Sequence, residues 1–346
     1  MLAVAIHVHM SFWQETIVKV ALSAIVVPTG AALVVYLFLF KLVSFMQSRL
    51  GPMEAGPHGT LQLVAEVGKW LQKEDIVPAA ADKHIFKLAP FIVLSSTFLM
   101  FVVIPAGPQS VVESLPMGIF YVLAVSSLSV LGILMAAWSS ANKYALMGGL
   151  RAAGQLIAYE LPMVLAVVGV VIQAGTLNMQ EIVGHQSGGS IFGWSGIGNP
   201  YLLTQFIGFL IFMIAAQAEL GQTPFDMPVA ESEIVGGWMV EYTGIRFLVF
   251  FLSEFATAVG FSAVAATLFL GGWDLPHSWG IPVGWMHLIG PIVLVTKVLA
   301  LTGTIFWVRF SMPRFREDQL QKMAWKFLIP LSLANIMVTA ILKVAV

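Results

Sequence analysis

Long apolar segments alternate with short polar connections along this chain. Eight segments of spanning length run over 17–45, 87–105, 117–139, 151–175, 201–220, 244–270, 285–309 and 325–345. Helices of about 20 mainly apolar residues match the hydrocarbon thickness of a bilayer. The pattern therefore predicts an all-α integral membrane protein with about eight transmembrane helices, in one membrane domain over residues 1–346.

The first polar connection, 46–86, contains a different apolar pattern. In TLQLVAEVGKWLQKE, residues 60–74, apolar positions such as Leu63 and Trp70 recur at helical spacing, with polar positions such as Glu66 between them. A short two-faced helix of this kind lies along a membrane interface rather than across it. We expect an amphipathic interfacial helix on the cytoplasmic side.

Lysine and arginine are distributed unevenly between the two ends of the predicted spans. The connections 106–116, 176–200 and 271–285 contain none, whereas fourteen of the seventeen lie at the opposite ends. Cytoplasmic loops of membrane proteins are enriched in Lys and Arg. The distribution predicts that both termini lie outside the cytoplasm, periplasmic if the chain belongs to a bacterial inner membrane, and it places the acidic loop 219–245 in the cytoplasm.

Composition limits the chemistry that the chain itself performs. The sequence is 58% hydrophobic, only 10% charged, and contains no cysteine. It therefore has no thiolate ligands for zinc or iron–sulfur clusters. No Gly-rich phosphate loop stands between a strand and a helix, and His7 and His9 form the only close histidine pair. We expect no metal site, no covalently bound cofactor and no nucleic-acid partner.

Carboxylates are concentrated in one part of the chain. Between Arg151 and Arg246 there is no Lys or Arg, but seven acids are present: Glu160, Glu181, Glu219, Asp226, Glu231, Glu233 and Glu241. Charge near hydrocarbon is costly unless it is paired, hydrated or protonated. The run, continued by Glu254, indicates a proton or ion path.

Three ionisable residues stand alone inside predicted spans: Glu160, Glu254 and Lys297. The nearest basic residues at the cytoplasmic ends of these spans, Arg151, Arg246 and Arg309, lie nine, eight and twelve positions away, respectively. At ~1.5 Å per residue they lie roughly 12 to 18 Å deep, near the middle of a ~30 Å layer. A shared polar core is one interpretation, and a static Glu–Lys pair that only orients helices is the alternative.

Other charged positions also have simpler interpretations. Glu231 and Glu233 suit a solvated loop, and Asp226 between Pro224 and Pro228 suits a helix cap. Arg314 and Arg316 suit topology signals.

Several motifs together resemble one family. PFDMPVAESEIVGGWMVEYTGIRF, KYALMGGLRAAGQLIAYELP, KEDIVPAAADKHIFKLAP, RLGPMEAGPHG and PRFREDQL are similar, each in its place, to segments of the H subunit of respiratory complex I, the NADH:quinone oxidoreductase. The resemblance covers nearly the whole chain. It implies a translocase component without a redox centre of its own, quinone as substrate, and iron–sulfur clusters and flavin only on partner subunits. The implied partners are cluster-bearing hydrophilic subunits at the cytoplasmic face, small and antiporter-like membrane subunits, and the lipid bilayer.

The resemblance also implies roles for particular residues. The family's acidic path from the quinone chamber into the membrane arm falls on Glu160, Glu219, Glu231, Glu233, Glu241 and Glu254. Lys297 is included as a candidate in that path. The family's quinone chamber falls on Arg49, Trp70, Phe225, Asp226 and Arg246.

Two motifs depart from the family pattern. Where the family has Asn-Arg after Gly-Pro in the first loop, this chain has Met53 and Glu54. Where the family has Glu-Thr-Asn-Arg before Pro-Phe-Asp, Gly221 and Gln222 stand in the last two positions, and Val229 replaces a Glu. Each motif therefore lacks the arginine that the family carries there.

Two other classes of function predict different observations. A self-sufficient secondary transporter has repeated halves and broken helices around its substrate, and transport by the purified chain would favour it. A coupling or anchoring component of a membrane-bound hydrogenase, or of another quinone oxidoreductase, would co-purify with nickel-bearing or other donor subunits. The sequence favours the NADH:quinone oxidoreductase.

Overall fold

The computed structural model describes residues 12–108, 110–189, 198–276, 279–280 and 282–345, which form helices and connecting loops without strands. The pair His7 and His9 lies outside this part. The α-helices are α1 (Phe12–Val34), α2 (Val43–Met46), α3 (Gln62–Gln72), α4 (Lys83–Met100), α5 (Gly118–Ser126), α6 (Leu128–Ser139), α7 (Lys143–Ala174), α8 (Met179–Gly188), α9 (Tyr201–Thr204), α10 (Phe206–Glu219), α11 (Glu231–Ile234), α12 (Gly244–Phe269), α13 (Val283–Ser311), α14 (Glu317–Met323) and α15 (Ile329–Ala345). Two π-helical segments, Val35–Leu42 and Ala324–Leu328, join α1 to α2 and α14 to α15.

Seven continuous helical stretches of the described chain are long and apolar enough to cross a bilayer: Ile17–Met46, Lys83–Met100, Gly118–Ser139, Lys143–Ala174, Gly244–Phe269, Gly284–Ser311 and Glu317–Ala345. They match seven of the eight predicted spans in position. The prediction of an all-α integral membrane protein is confirmed.

The remaining predicted span, 201–220, is broken at Gln205. The one-turn helix α9 precedes the break, and the 14-residue α10 follows it. At ~1.5 Å per residue α10 is roughly 21 Å long, shorter than the hydrocarbon layer. The buried Gln205 side chain donates to Thr339 Oγ1 at 2.6 Å and accepts from Asn335 Nδ2 at 2.8 Å. These α15 partners come from distant sequence, so the local pattern could not indicate the break.

The core lies around α7. Tyr159, Met163 and Val167 of this helix are buried against apolar residues of α10 and α12 in one cluster. Small residues bring helices close together, as is common in membranes. A Cβ atom on Gly149 would lie 2.2 Å from Ala137 Cβ, so α6 and α7 touch at this point.

The amphipathic helix predicted in the first polar connection is present as α3, and none of its side chains is fully buried. It packs on the first turn of α12, where the Trp70 and Phe247 rings stack with centroids 4.6 Å apart. Gly51 begins the turn before it with φ of 72°, and an added Cβ there would lie 2.6 Å from the Phe40 carbonyl oxygen. Only glycine fits this conformation and approach without strain.

Candidate functional site

Two carboxylates of the predicted acid series are neighbours inside the membrane domain. Glu160 lies in the middle of α7, and Glu219 is the last residue of α10, close enough for the Glu160 charge to act on it. The Glu219 Oε2 atom is buried and has no hydrogen-bond partner among the described residues. Two like charges at short range do not both ionise readily in a low dielectric. The protonation of one carboxyl group therefore influences that of the other.

Glu254 belongs to a second group. Its Oε1 atom accepts a hydrogen bond from Gln222 Nε2 at 3.2 Å and lies 3.5 Å from Arg309 Nη1 of α13. Both charged side chains are about one-quarter exposed. The Glu254 carboxylate therefore has a cation and an amide as partners.

Lys297 does not join these acids. Its Nζ donates to the carbonyl oxygens of Leu270 and Gly272, each at 2.7 Å, just beyond the C-terminal end of α12. Cations are favoured at helix C-termini, where carbonyl groups lack helical partners. In the described part of the chain, no ion pair links Lys297 to Glu160 or Glu254. The prediction that Glu254 and Lys297 lie at one depth is therefore wrong, because Glu254 contacts Arg309, twelve residues or about 18 Å along α13 from Lys297.

Phe225 and Asp226 lie in the loop after α10. Phe225 is buried, with its ring edge-on to Tyr159 at 5.2 Å between centroids. Gln155 Nε2 donates to the carbonyl oxygens of Ala218 and Phe225, which fixes this loop on α7. The loop therefore joins the acid pair to the Glu254 group.

Burial raises the pKa of Asp226 to about 6. The positive charges of Arg309 and Arg314 oppose the increase in pKa, whereas the negative charges of Glu254 and Glu231 add to it. A carboxyl group with this pKa exchanges protons close to neutral pH.

Glu233 has a different environment, at the surface. Its Oε2 accepts from Arg151 Nη1 at 2.7 Å, and its Oε1 from Arg314 Nη2 at 3.3 Å. The hydrogen bond and charge of Arg151, with the charge of Arg314, lower the pKa of Glu233. This carboxylate holds α11 to α7 and to the segment before α14, and it stays ionised.

The other predicted acids of this loop are separate from the buried groups. Glu231 is exposed and makes no ion pair within the described chain. Glu241 accepts a 2.6 Å hydrogen bond from Asn142 Nδ2, the residue that caps the N-terminus of α7.

Arg246 and Phe247, neighbours on the first turn of α12, connect that helix to α3 and the segment that follows it: Phe247 stacks on Trp70, and Arg246 binds Asp75. Arg246 Nη2 lies 2.9 Å from Asp75 Oδ2, and the guanidinium lies over the Phe86 ring. The Arg246 Nη1 atom is buried without a hydrogen-bond partner among the described residues. Lys69 and Lys73 flank the Trp70 ring, each with Nζ 4.9 Å from its centroid. The first turn of α12 thus carries both an aromatic surface, formed by Phe247 with Trp70, and a buried N–H donor, Arg246 Nη1.

Arg49 is not part of this contact. It is exposed just after α2, and its Nε donates to Gln47 Oε1 at 2.8 Å. Phe225 and Asp226 likewise lie with the acids rather than with Trp70. The five predicted quinone-chamber residues therefore fall into three places on the structure.

Sequence reasoning missed the polar residues that connect the acids. The sequence pattern assigned Arg309 no role beyond marking the helix end from which the depth of Lys297 was counted. It assigned Gln222 none beyond a departure from the family motif. Gln155 and Gln222 are buried, and each leaves its Oε1 without a partner in the described chain. Buried amides within an apolar helix or loop were the available signal.

The described residues contain no cluster of three or more His, Cys, Asp or Glu side chains that suits a metal ion. The family model described as NADH dehydrogenase matches residues 18–340. The chain belongs to the NADH dehydrogenase family. Its long apolar helices make it a multi-pass membrane member of that family.

Curated relatives of this NADH dehydrogenase family member share most of its length. The H subunit of NADH-quinone oxidoreductase from Dehalococcoides mccartyi strain 195 is 42% identical over 334 residues, covering 95% of this chain and 87% of the relative. The protein of the same name from Brevibacillus brevis is 42% identical over 331 residues, covering 95% and 94%. That from Bacillus mycoides is 44% identical over 305 residues, covering 88% and 86%. The resemblance to the H subunit of complex I is confirmed.

Proposed function

We propose that this chain forms the membrane side of a quinone chamber in a proton-translocating NADH:quinone oxidoreductase and carries the acidic path that leads from the chamber into the membrane arm. The names of the relatives favour this enzyme over a hydrogenase. Iron–sulfur clusters and flavin belong to partner subunits in this proposal, since the chain has no cysteine. Quinone is its substrate.

The observation that carries the proposal is the loop from Glu219 to Asp226, which contacts both acid groups. Glu219 lies beside Glu160, while Gln222 of the same loop binds Glu254. The charges of Arg309 and Glu254 in turn shift the pKa of Asp226, Arg309 downward and Glu254 upward. A change of charge at one end of this loop alters the proton occupancy at the other through these pairs.

Buried polar atoms without protein partners support a hydrated connection. They are Gln155 Oε1, Glu219 Oε2 and Gln222 Oε1, all in or against this loop. Buried water commonly satisfies such atoms. Water at these positions links the Glu160–Glu219 pair to the Glu254 group by hydrogen bonds.

The proposed reaction starts with electrons from the partner subunits. Reduction of a quinone by two electrons takes up two protons and forms a quinol. A nearby acid therefore either donates a proton or experiences a changed electrostatic potential. Asp226 is suited to respond because burial raises its pKa to about 6. The response passes through Glu254 to the Glu160–Glu219 pair.

Trp70, Phe247 and Arg246 are the residues that we assign to the membrane end of the chamber. The stacked rings offer an apolar surface for the quinone tail. The unpartnered Arg246 Nη1 is a donor for a polar headgroup or an approaching carboxylate. Phe225 beside Asp226 is the proposed inner wall, and Arg49 the outer rim.

The structure changes the proposed role of three residues. Lys297 caps α12, and Glu233 forms surface ion pairs with Arg151 and Arg314. Glu231 is exposed. We therefore place these three outside the proton path and assign Glu231 and Glu233 to the surface that faces the hydrophilic subunits. The positive-inside pattern supports that surface as cytoplasmic, with periplasmic termini, in a bacterial inner membrane.

Glutamine substitutions test the path. Glu254→Gln and Glu160→Gln should suppress quinone reduction and proton translocation, each by at least about tenfold, the effect typical of losing a positioned proton carrier. Electron transfer from NADH to a soluble acceptor, which bypasses quinone, should be unchanged in the purified complex.

Glu181→Gln is the matched control, because Glu181 is exposed on α8 and bonds only Thr176 among the described residues. Full coupled turnover in both path variants would remove these glutamates from the mechanism. Subunits that co-purify with the tagged chain distinguish the NADH enzyme from a hydrogenase.

A further inference from the structure

An apolar groove of about 420 Å³ opens on the outer surface between α4, α6 and α7. Its lining includes Ile85, Leu134, Trp138, Leu146 and Leu150, with Gly149 at its floor. None of the acids or aromatic residues assigned to the proposed function lines it.

The groove is deep because its floor has almost no side chain. Gly149 faces Ala137 so closely that an added Cβ would lie 2.2 Å from the Ala137 Cβ. The walls project outward, since Trp138 is 72% exposed and Leu150 is 61% exposed. A large apolar surface of this kind needs an apolar occupant.

Positive charge surrounds one end of the groove. Lys83 and Lys143 are the first residues of α4 and α7, and Ile85 and Leu146 of the lining follow them within one turn. The N-termini of both helices add partial positive charge at the same end. Lys87 stands one turn farther along α4. All three lysines are exposed.

The positive charge at this rim is not neutralised within the described chain, where these lysines make no ion pair. Lys143 Nζ lies over the Tyr144 ring, 5.3 Å from its centroid. Two acids lie nearby: Asp82, whose carboxylate accepts from the backbone nitrogens of His84 and Ile85 as the cap of α4, and Glu241, which accepts from Asn142 Nδ2 next to Lys143. Three lysines therefore stand against two carboxylates at this end. An anion is therefore the fitting partner at this end.

We propose that the groove binds an acyl chain of an anionic phospholipid, whose phosphate lies between Lys83 and Lys143. The apolar walls accept the chain, and the charged rim accepts the headgroup. A groove with a floor of one glycine and one alanine suits a chain one methylene wide better than a helix about 10–12 Å across. Each lysine near a membrane surface contributes about 1 kcal/mol toward an anionic lipid.

Photo-crosslinking of the purified complex tests this site. The complex is reconstituted with phosphatidylglycerol or phosphatidylcholine that carries a diazirine in its acyl chain, and labelled peptides are mapped. Phosphatidylglycerol should label the segment containing Leu146 and Leu150 at least fivefold more than phosphatidylcholine. About fivefold corresponds to the ~1 kcal/mol that one lysine contributes toward an anionic lipid.

Two variants localise the effect. Lys83→Gln with Lys143→Gln should remove the headgroup preference, whereas Lys322→Gln with Lys326→Gln, lysines at another helix end, should keep it. Leu150→Trp, which narrows the groove, should lower labelling by both lipids.

Three results would overturn the proposal. Equal labelling by the two lipids would show an ordinary lipid-facing surface. An absence of label from either lipid would show that a helix of a partner protein covers the groove. A headgroup preference that persists without Lys83 and Lys143 would place the phosphate elsewhere.

Discussion

Glu254 of α12 and Arg309 of α13 face each other with 3.5 Å between Oε1 and Nη1. The Gln222 amide donates to the same carboxylate oxygen. Gln222 contributes an uncharged amide, and Arg309 supplies the positive charge close to Glu254. The pair joins two long helices beside the loop that carries Asp226.

Loss of the Arg309 charge should destabilise the protein through Glu254. Arg309→Met leaves a half-buried carboxylate with only an amide partner, which costs on the order of 1–3 kcal/mol at this partial exposure. Glu254→Gln in the same background should recover part of that loss, because no unpaired charge remains. Thermal inactivation midpoints of the four purified forms measure the coupling. A double variant no more stable than Arg309→Met would contradict it.

Asp226 should make the stability of the protein depend on pH in the mildly acidic range. Its pKa is raised from 3.8 to about 6 in the folded chain. Its stabilising contribution is therefore complete below about pH 3.8 and is lost as pH rises through about 6. Midpoints measured from about pH 4 to about pH 6 should fall more steeply in the unmodified protein than in Asp226→Asn, and the two should run parallel above that range. Curves that are parallel within that range as well would show that Asp226 titrates normally, despite facing Arg309, Arg314, Glu254 and Glu231.

Lys297 should matter for folding rather than for coupling. Lys297→Met removes the donor to the Leu270 and Gly272 carbonyls. The loss should cost about 1.5–3 kcal/mol, the range for hydrogen bonds to charged groups. The number of protons moved per quinone reduced should stay the same in the complexes that assemble. Proton translocation measured in vesicles and normalised to assembled complex provides the comparison. A lower ratio with normal assembly would return Lys297 to the proton path.

Trp70 should control access of quinone through its contact with Phe247. Trp70→Ala removes the stack that holds α3 on α12. It should raise the KM for a long-tailed quinone several-fold, since an aromatic pair contributes about 0.5–1.5 kcal/mol. Trp70→Phe keeps an aromatic ring and serves as the control. Steady-state kinetics with long-tailed and tail-less quinones separate the effect on the tail. An equal change for both quinones would argue against a role in binding the tail.

The apolar pattern was sufficient to predict the helices because each span must satisfy its own backbone hydrogen bonds in lipid. The helix α3 was predictable from a different local signal, because its polar residues recur at the spacing that places them on one face of a helix. The break at Gln205 was not predictable, because the partners that bind its side chain, Asn335 and Thr339, are far away in sequence.

Counting from the basic residues at the helix ends did not locate the charged side chains correctly. It placed Glu254 and Lys297 at one level, yet Glu254 lies beside Arg309, and Lys297 lies about 18 Å farther along α13, beside the carbonyls after α12. Which neighbour a side chain meets depends on how helices pack around each other. That information resides in pairs of distant residues, such as Gly149 and Ala137, and not in the local sequence.

Gln205 also keeps the C-terminal helix in register with the centre of the molecule. It binds Asn335 and Thr339 of α15, and an added Cβ on Gly169 of α7 would lie 3.0 Å from its Oε1 atom. Sliding α15 by a single residue, about 1.5 Å, would separate both hydrogen bonds among apolar helices where little water can replace them. Gln205 therefore fixes the position of α15 relative to α7 and α10, the two helices that hold Glu160 and Glu219.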